Sequence, residues 1–310
     1  MSIRNPSSRR YAFSIPRRLR GFPFTKPTRP GSIAYEADRS SLGAEYDTAW
    51  ARRPGARVAR TAISIAIFRP LVTAFANPTI NGFDRIAHID GPAIFTPNHH
   101  SHIDTMLMLT AIPKELRKKT VVAAGADYFF DTRTKAAAAA LVLGAIPIER
   151  RKVSRHSAYL VQSLLDDGWS VVIFPEGGRS PDGWGQDWKP GAAFLALRTS
   201  APIIPVHIEG TDRVFPKGAR RPRRDATTVT FGHPIRPVDG EDARRLGARV
   251  ERAVNELGDE SATDWWSARR RAATATTPSL TGPTGVDGWR RAWARTAKNK
   301  ARETPKRAWP

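Results

Sequence analysis

From about residue 60 onward, short apolar runs alternate with amphipathic stretches, and no other feature of the chain limits its fold as much. GPAIFTP (91–97), TVVAAG (120–125), GAIPI (144–148), SVVIFP (170–175), APIIPVHI (201–208) and TTVTFG (227–232) are strand-like runs that end in turn residues. Helical windows lie between them, at 102–113, 133–142, 153–167, 191–199 and 240–257. This order predicts a single α/β domain, a mostly parallel or mixed central sheet flanked by helices. In such sheets the chemistry collects where strands end and helices begin.

With 310 residues, 40% of them hydrophobic, the chain can bury one large core or two small ones. Its formal charge of +21 is unevenly placed. Residues 1–60 hold 13 Lys/Arg against 4 Asp/Glu and residues 261–310 hold 11 against 3, whereas 61–260 are nearly balanced at 26 against 22. These shifts predict a basic Pro/Arg-rich leader at 1–60, flexible over 1–45, then a domain at 61–260 and a basic, Trp-containing tail at 261–310. Such flanks attract either nucleic acid or an anionic membrane surface. Trp265, Trp266, Trp289, Trp293 and Trp309 stand in the basic tail, a mixture suited to a bilayer interface and also to single-stranded nucleic acid. A solvated, disordered tail over 270–310 is the third reading.

No apolar signal region stands in the first 30 residues. Residues 61–76 (TAISIAIFRPLVTAFA) are short for a membrane crossing and are interrupted by Arg69 and Pro70. They are expected as an interfacial helix with a cationic rim or as a helix packed on the core. The lack of cysteine excludes thiolate metal sites and cysteine nucleophiles.

NHHSHIDT (98–105) follows the run GPAIFTP and leads into IDTMLMLTAI, so His99 is expected in a strand-to-helix turn and Asp104 in the first helical turn. Three readings are open on this stretch alone. It is a metal loop, since HSHIDT comes within one residue of H-x-H-x-D-H; or a histidine–aspartate pair whose carboxylate holds the ring's tautomer and raises its basicity; or a polar turn whose aspartate only stabilises the helix start. Three further run ends carry charge or glycine. GAIPIERRK sets Arg150 and Arg151 beyond a strand, FPEGGRS sets Glu176, Gly177, Gly178 and Arg179 in a strand-to-helix turn, and APIIPVHIEG brings Pro205 and a polar end to another strand. Gly-Gly followed by Arg suits an anion, through close backbone N–H groups and a planar guanidinium. A tight turn and surface solvation account for the same residues without one.

Together and in this order, NHHSHID (98–104), GAIPIER (144–150), FPEGGRS (174–180) and APIIPV (201–206) resemble the motifs of the 1-acylglycerol-3-phosphate acyltransferase family: N-H-x-S-x-x-D, G-x-I-x-I-x-R, F-P-E-G-T-R-S and V-P-I-x-P-V. WKPGAAFLAL (188–197) also resembles the family's lysine–glycine helix start, and the likeness spans roughly residues 79–235. Gly178 replaces the usual threonine, Pro147 an aromatic, Glu149 an aspartate and Ala201 a valine; of these, Gly178 removes a hydroxyl suited to phosphate.

The resemblance implies an enzyme that moves a fatty acyl group from a thioester, acyl-CoA or acyl carrier protein, to the free hydroxyl of a lysophospholipid. The foremost acceptor is 1-acylglycerol-3-phosphate, the product phosphatidic acid, and another hydroxylated lipid is the alternative. It implies His99 as general base, Asp104 as its orienting partner, and no metal or cofactor. Arg150, Glu176, Gly177 and Arg179 correspond to acceptor-binding positions, the arginines on the phosphate and Glu176 orienting an arginine or a glycerol hydroxyl. Ser101 is expected to cap the helix. A lipid substrate further implies peripheral attachment to an anionic membrane surface on the cytoplasmic face.

Rival classes fit less of the sequence. Thr105 stands where H-x-H-x-D-H requires its last histidine, and His156, His207 and His233 lack a ligand-cluster spacing. A nucleic-acid-binding module predicts basic residues spread over the domain face, yet 61–260 is near neutral. A catalytically silent membrane-surface protein of the same fold remains, and the intact His99/Asp104 pair argues against it.

Overall fold

The computed structural model describes residues 42–150, 155–283, 285 and 288–303. The expected leader up to residue 41, together with Arg151 and Trp309, lies outside them.

Seven strands form one sheet in the order β1-β7-β6-β2-β5-β3-β4. They are β1 (Pro78–Asn81), β2 (Ile94–Pro97), β3 (Thr120–Gly125), β4 (Ala145–Ile148), β5 (Ser170–Val172), β6 (Ile203–Glu209) and β7 (Thr227–Phe231). All neighbours run parallel except β6 and β7, so the sheet is mixed. The central strands read as unbroken apolar runs because both faces are covered. Phe95, Val122, Val172 and Ile204 enter one core, while the preceding residues Ile94, Val121, Val171 and Ile203 enter the other. β1 (PTIN) has too little apolar character to stand out in the sequence; it joins the edge by pairing with β7.

The first core is closed by α1 (Pro54–Ala76), through Val72 and Ala76, and by α2 (Ile103–Ala111). The second is closed by α4 (Arg155–Asp166), α5 (Gly191–Thr199) and α6 (Ala243–Ala262). Between them in sequence, α3 (Arg133–Leu143) packs Ala136 and Ala139 on Ala124 and Ala145. The helices begin and end where local chemistry allows. The Thr132 side chain caps α3 on Lys135 N–H, Gly144 ends it at φ 66°, and Asp242 caps α6 on Arg244 and Arg245 N–H.

The interruption expected at Arg69 and Pro70 does not occur. Helix α1 runs continuously for 23 residues from Pro54, seven residues ahead of the apolar run at 61–76. A π-turn at Ser64–Phe68 precedes the proline, and its wider winding accommodates a ring that would otherwise clash with the carbonyl one turn back. At about 1.5 Å per residue the helix is roughly 34 Å long, and it is long and apolar enough to cross a membrane. Arg60, one residue ahead of the apolar run, turns inward. It donates to Leu141 O at 2.8 Å, Ala140 O at 2.9 Å and Ala51 O at 2.7 Å, and burial lowers its pKa to about 10. It thereby satisfies the free carbonyls at the end of α3 and ties α1 to the domain.

Among the described residues of the tail stand two helices, α7 (Trp265–Ala273) and α8 (Gly288–Glu303). Buried Ala268 and a two-pronged ion pair from Arg271 to Asp259, both contacts at 2.7 Å, hold α7 against α6.

Candidate active site

The end of β2 carries the site. Asn98 continues the strand with its side chain, donating to Ile208 O at 2.8 Å and accepting from Ile208 N–H at 2.7 Å, so the amide stands in for a further rung between β2 and β6. The chain then turns at His99–Ser101 into α2. Asp104, fully buried, directs one oxygen back into this turn. Its Oδ2 accepts from the His100 N–H at 2.7 Å, the Ser101 N–H at 2.8 Å and the His99 ring at Nδ1, 2.9 Å. The orienting pair and the helix-start anion are therefore the same carboxylate. An ionised carboxylate only accepts, so Nδ1 carries the proton and Nε2 is left with its lone pair. The ring stacks on Phe174, centroids 4.1 Å apart, with the histidine side chain 15% exposed. Ser101 donates from Oγ to Phe215 O at 2.6 Å and accepts from Ile103 N–H at 3.3 Å, a structural role at the helix start.

The FPEGGRS turn is stitched to this histidine on both sides. Glu176 Oε1 accepts the His99 N–H at 2.8 Å, and the Ser180 N–H donates to His99 O at 2.9 Å. Glu176 Oε2 accepts the Gln186 N–H at 2.9 Å, so both carboxylate oxygens meet backbone rather than an arginine. Burial raises the Glu176 pKa to about 7, against the pull of these two amide donors. The turn is not followed at once by a helix: β5 ends at Val172 and α5 begins at Gly191, leaving a long loop that includes Gln186 and Lys189.

Gly177 adopts φ +68°, and a side chain there would come within 2.8 Å of Lys189 Nζ. Arg150, just past β4, reaches this turn and donates from one Nη to Gly177 O at 3.1 Å, while its Nε and other Nη grip Asp127 at 2.7–3.0 Å. Lys189 Nζ donates to Arg150 O at 3.0 Å. Arg179 is half-buried, and its charge acts on His102, whose pKa is lowered first by burial and then by Arg179 and His99. All six residues singled out from the sequence thus gather at the ends of β2, β4 and β5. Asp127, Gln186, Lys189 and Phe174 join them. Phe174 opens the FPEGGRS stretch and Lys189 stands in the W-K-P-G start at residue 188, whereas Asp127 and Gln186 had no signal.

The arrangement offers a largely buried imidazole with one edge exposed and a fixed tautomer, beside a glycine turn bordered by Arg150, Arg179 and Lys189. It is fitted to take a proton from a neutral group that is tethered to an anion.

An acyltransferase family model matches residues 77–209. The chain is 26% identical to the chloroplastic 1-acyl-sn-glycerol-3-phosphate acyltransferase LPAT1 of Arabidopsis thaliana over 210 residues, 65% of this chain and 53% of that protein. It is 26% identical to the human 1-acyl-sn-glycerol-3-phosphate acyltransferase alpha over 182 residues, 56% of this chain and 61% of that one. The chain thus spans about half the length of the curated relatives it matches. In fold it is similar to the 1-acyl-sn-glycerophosphate acyltransferase PlsC of Thermotoga maritima, with a TM-score of 0.55, 23% identity and coverage of 71% of this chain and 85% of that one. The match to the acyltransferase family model, residues 77–209, takes in all four of the motifs that converge on this site.

Proposed function

We propose that this protein transfers a fatty acyl group from an acyl thioester, carried by coenzyme A or acyl carrier protein, to the free hydroxyl of 1-acylglycerol-3-phosphate. The observation that carries this reading is the 2.9 Å contact between His99 Nδ1 and a buried Asp104 that is anchored by two backbone amides. His99 Nε2 accepts the hydroxyl proton as the oxygen attacks the thioester carbonyl. The tetrahedral oxyanion collapses with loss of the C–S bond, and the departing thiolate recovers the proton from His99. A thioester is reactive enough that a placed base and a held acceptor account for the chemistry.

Arg179 takes the acceptor phosphate, with Lys189 at the edge of the same turn. Arg150, already shared with Asp127 and Gly177 O, adds charge while shaping the turn. Glu176 holds His99 and Gln186 in register by their amides. The enzyme attaches peripherally to an anionic membrane on its cytoplasmic face, the exposed Ile65, Ile67 and Leu71 of α1 contributing the apolar contact.

The test is turnover of labelled acyl thioester on phosphorylated and unphosphorylated lysolipids. His99→Ala should abolish transfer with the fold retained, and Asp104→Asn should lower kcat by about 10²–10⁴-fold, because the ring loses its tautomer. Arg179→Ala should raise the acceptor KM and leave the donor KM nearly unchanged. Full activity in His99→Ala sinks the base assignment. An equal loss toward donor and acceptor in Arg179→Ala removes the arginine from the phosphate.

A further inference from the structure

The basic tail reaches the candidate site. The loop between the FPEGGRS turn and α5 is clasped by Leu280, Gly282 and Arg291. Gly185 N–H donates to Leu280 O at 2.8 Å, and the Trp184 ring lies on Gly282, where a Cβ would come within 2.3 Å of it. Trp184 Nε1 donates to Arg291 O at 3.0 Å, and the Arg291 guanidinium holds Asp182 at 3.0 Å, Pro283 O at 2.6 Å and Thr281 O at 3.2 Å. The very next residue in the loop, Gln186, is bound to the site: its N–H to Glu176, its side-chain amide to Gly178 O at 3.0 Å. Adjacent peptides of one loop are therefore fastened to the tail on one side and, through Glu176, to His99 on the other.

Helix α8 presents a different face to solvent. Trp289 and Trp293 are one helical turn apart and share a side, 66% and 71% exposed. Arg291, two residues from each, lies about 200° round the helix and faces the loop. Arg290 extends over the Trp289 ring, 5.1 Å from its centroid. The helix carries six Lys/Arg and one acidic residue, Glu303. Exposed indoles flanked by cations match an anionic lipid interface, where the ring settles among headgroups and the cations meet phosphate.

We propose that α8 docks on an anionic lipid surface through Trp289, Arg290 and Trp293, and that the Arg291–Asp182–Trp184 clasp couples this docking to the order of the site turn. The membrane attachment proposed above is its premise, with α8 a second contact beside α1; the lipid that holds the substrate then also steadies Glu176 and His99.

Hydrogen exchange of the full chain, with phosphatidylglycerol-containing or pure phosphatidylcholine vesicles, reads the coupling without any need for turnover. Anionic vesicles should slow exchange at the Gly185 and Gln186 amides of the wild type, and neutral ones should not. Trp289→Ser with Trp293→Ser should weaken partition onto anionic vesicles by at least about tenfold. Arg291→Ala and, leaving the tail untouched, Asp182→Asn should keep partition within about twofold while losing the vesicle-induced protection, since their changes face the loop. Equal partition onto neutral vesicles, unchanged partition of the double tryptophan variant, or preference for RNA over anionic vesicles would overturn the lipid surface. Protection that persists in Asp182→Asn would overturn the coupling. Absence of acyl transfer alongside intact coupling would defeat the enzymatic reading alone.

Discussion

The two carboxylates beside His99 are bound differently. Asp104 concentrates three donors on the single oxygen Oδ2, which fixes the ring and the turn together. Glu176 has two backbone amide donors, one per oxygen, and burial prevails over them, raising its pKa from 4.5 to about 7. A folded-state pKa above the unfolded one favours folding while the group is protonated. The contribution is whole below about pH 4.5, shrinks as pH rises, and is gone above about 7. Wild type should therefore lose up to about 3 kcal/mol relative to Glu176→Gln, which does not titrate, between pH 4.5 and 8. Urea unfolding of both proteins across that range measures the difference, and a constant gap would show that Glu176 is ionised throughout. At this scale the strand-to-helix turn that carries His99 and Asp104 was legible from the local chain, while their pairing was one of three open readings and was favoured only through the family resemblance. Asp127 and Gln186 were not legible, because Asp127 meets the site across 23 residues of sequence and Gln186 across eight to ten.

Among the elements, α1 departs most from its sequence pattern. Proline and arginine in an apolar run read as a break, yet the π-turn at Ser64–Phe68 absorbs the proline and leaves Ile65 and Ile67 facing outward. Replacing both with Asp should shift unfolding by no more than about 0.5 kcal/mol, since neither is in the core. The same change should release most of the protein from vesicles at high salt, where apolar insertion alone remains. Flotation in 1 M salt checks it, the Debye length there being about 3 Å; undiminished binding would confine α1 to a packing role. Strand runs and helical windows elsewhere fell within a few residues of the observed elements, because apolar periodicity reports burial directly. β1, short and polar, had no periodicity to report and exists only through β7.

Over the whole molecule, charge is unevenly placed. Residues 61–260 are nearly neutral, and the excess of basic residues lies before residue 61 and after residue 260. Binding to anionic vesicles should therefore fall steeply between about 0.05 and 0.5 M salt yet retain a salt-resistant part from α1, whereas a wholly salt-labile interaction would rule out the apolar contribution. The sequence by itself determined the α/β class, the alternation of both-face-covered strands and the strand-to-helix turn that carries His99 and Asp104, because these depend on periodicity and on neighbours in the chain. Only the tertiary structure decided that β7 runs against β6, that Arg150 spends most of its donors on Asp127, and that the tail clasps the loop carrying Gln186. Those outcomes turn on which distant surfaces meet. No one-dimensional pattern encodes that, and packing of the two cores on one sheet does.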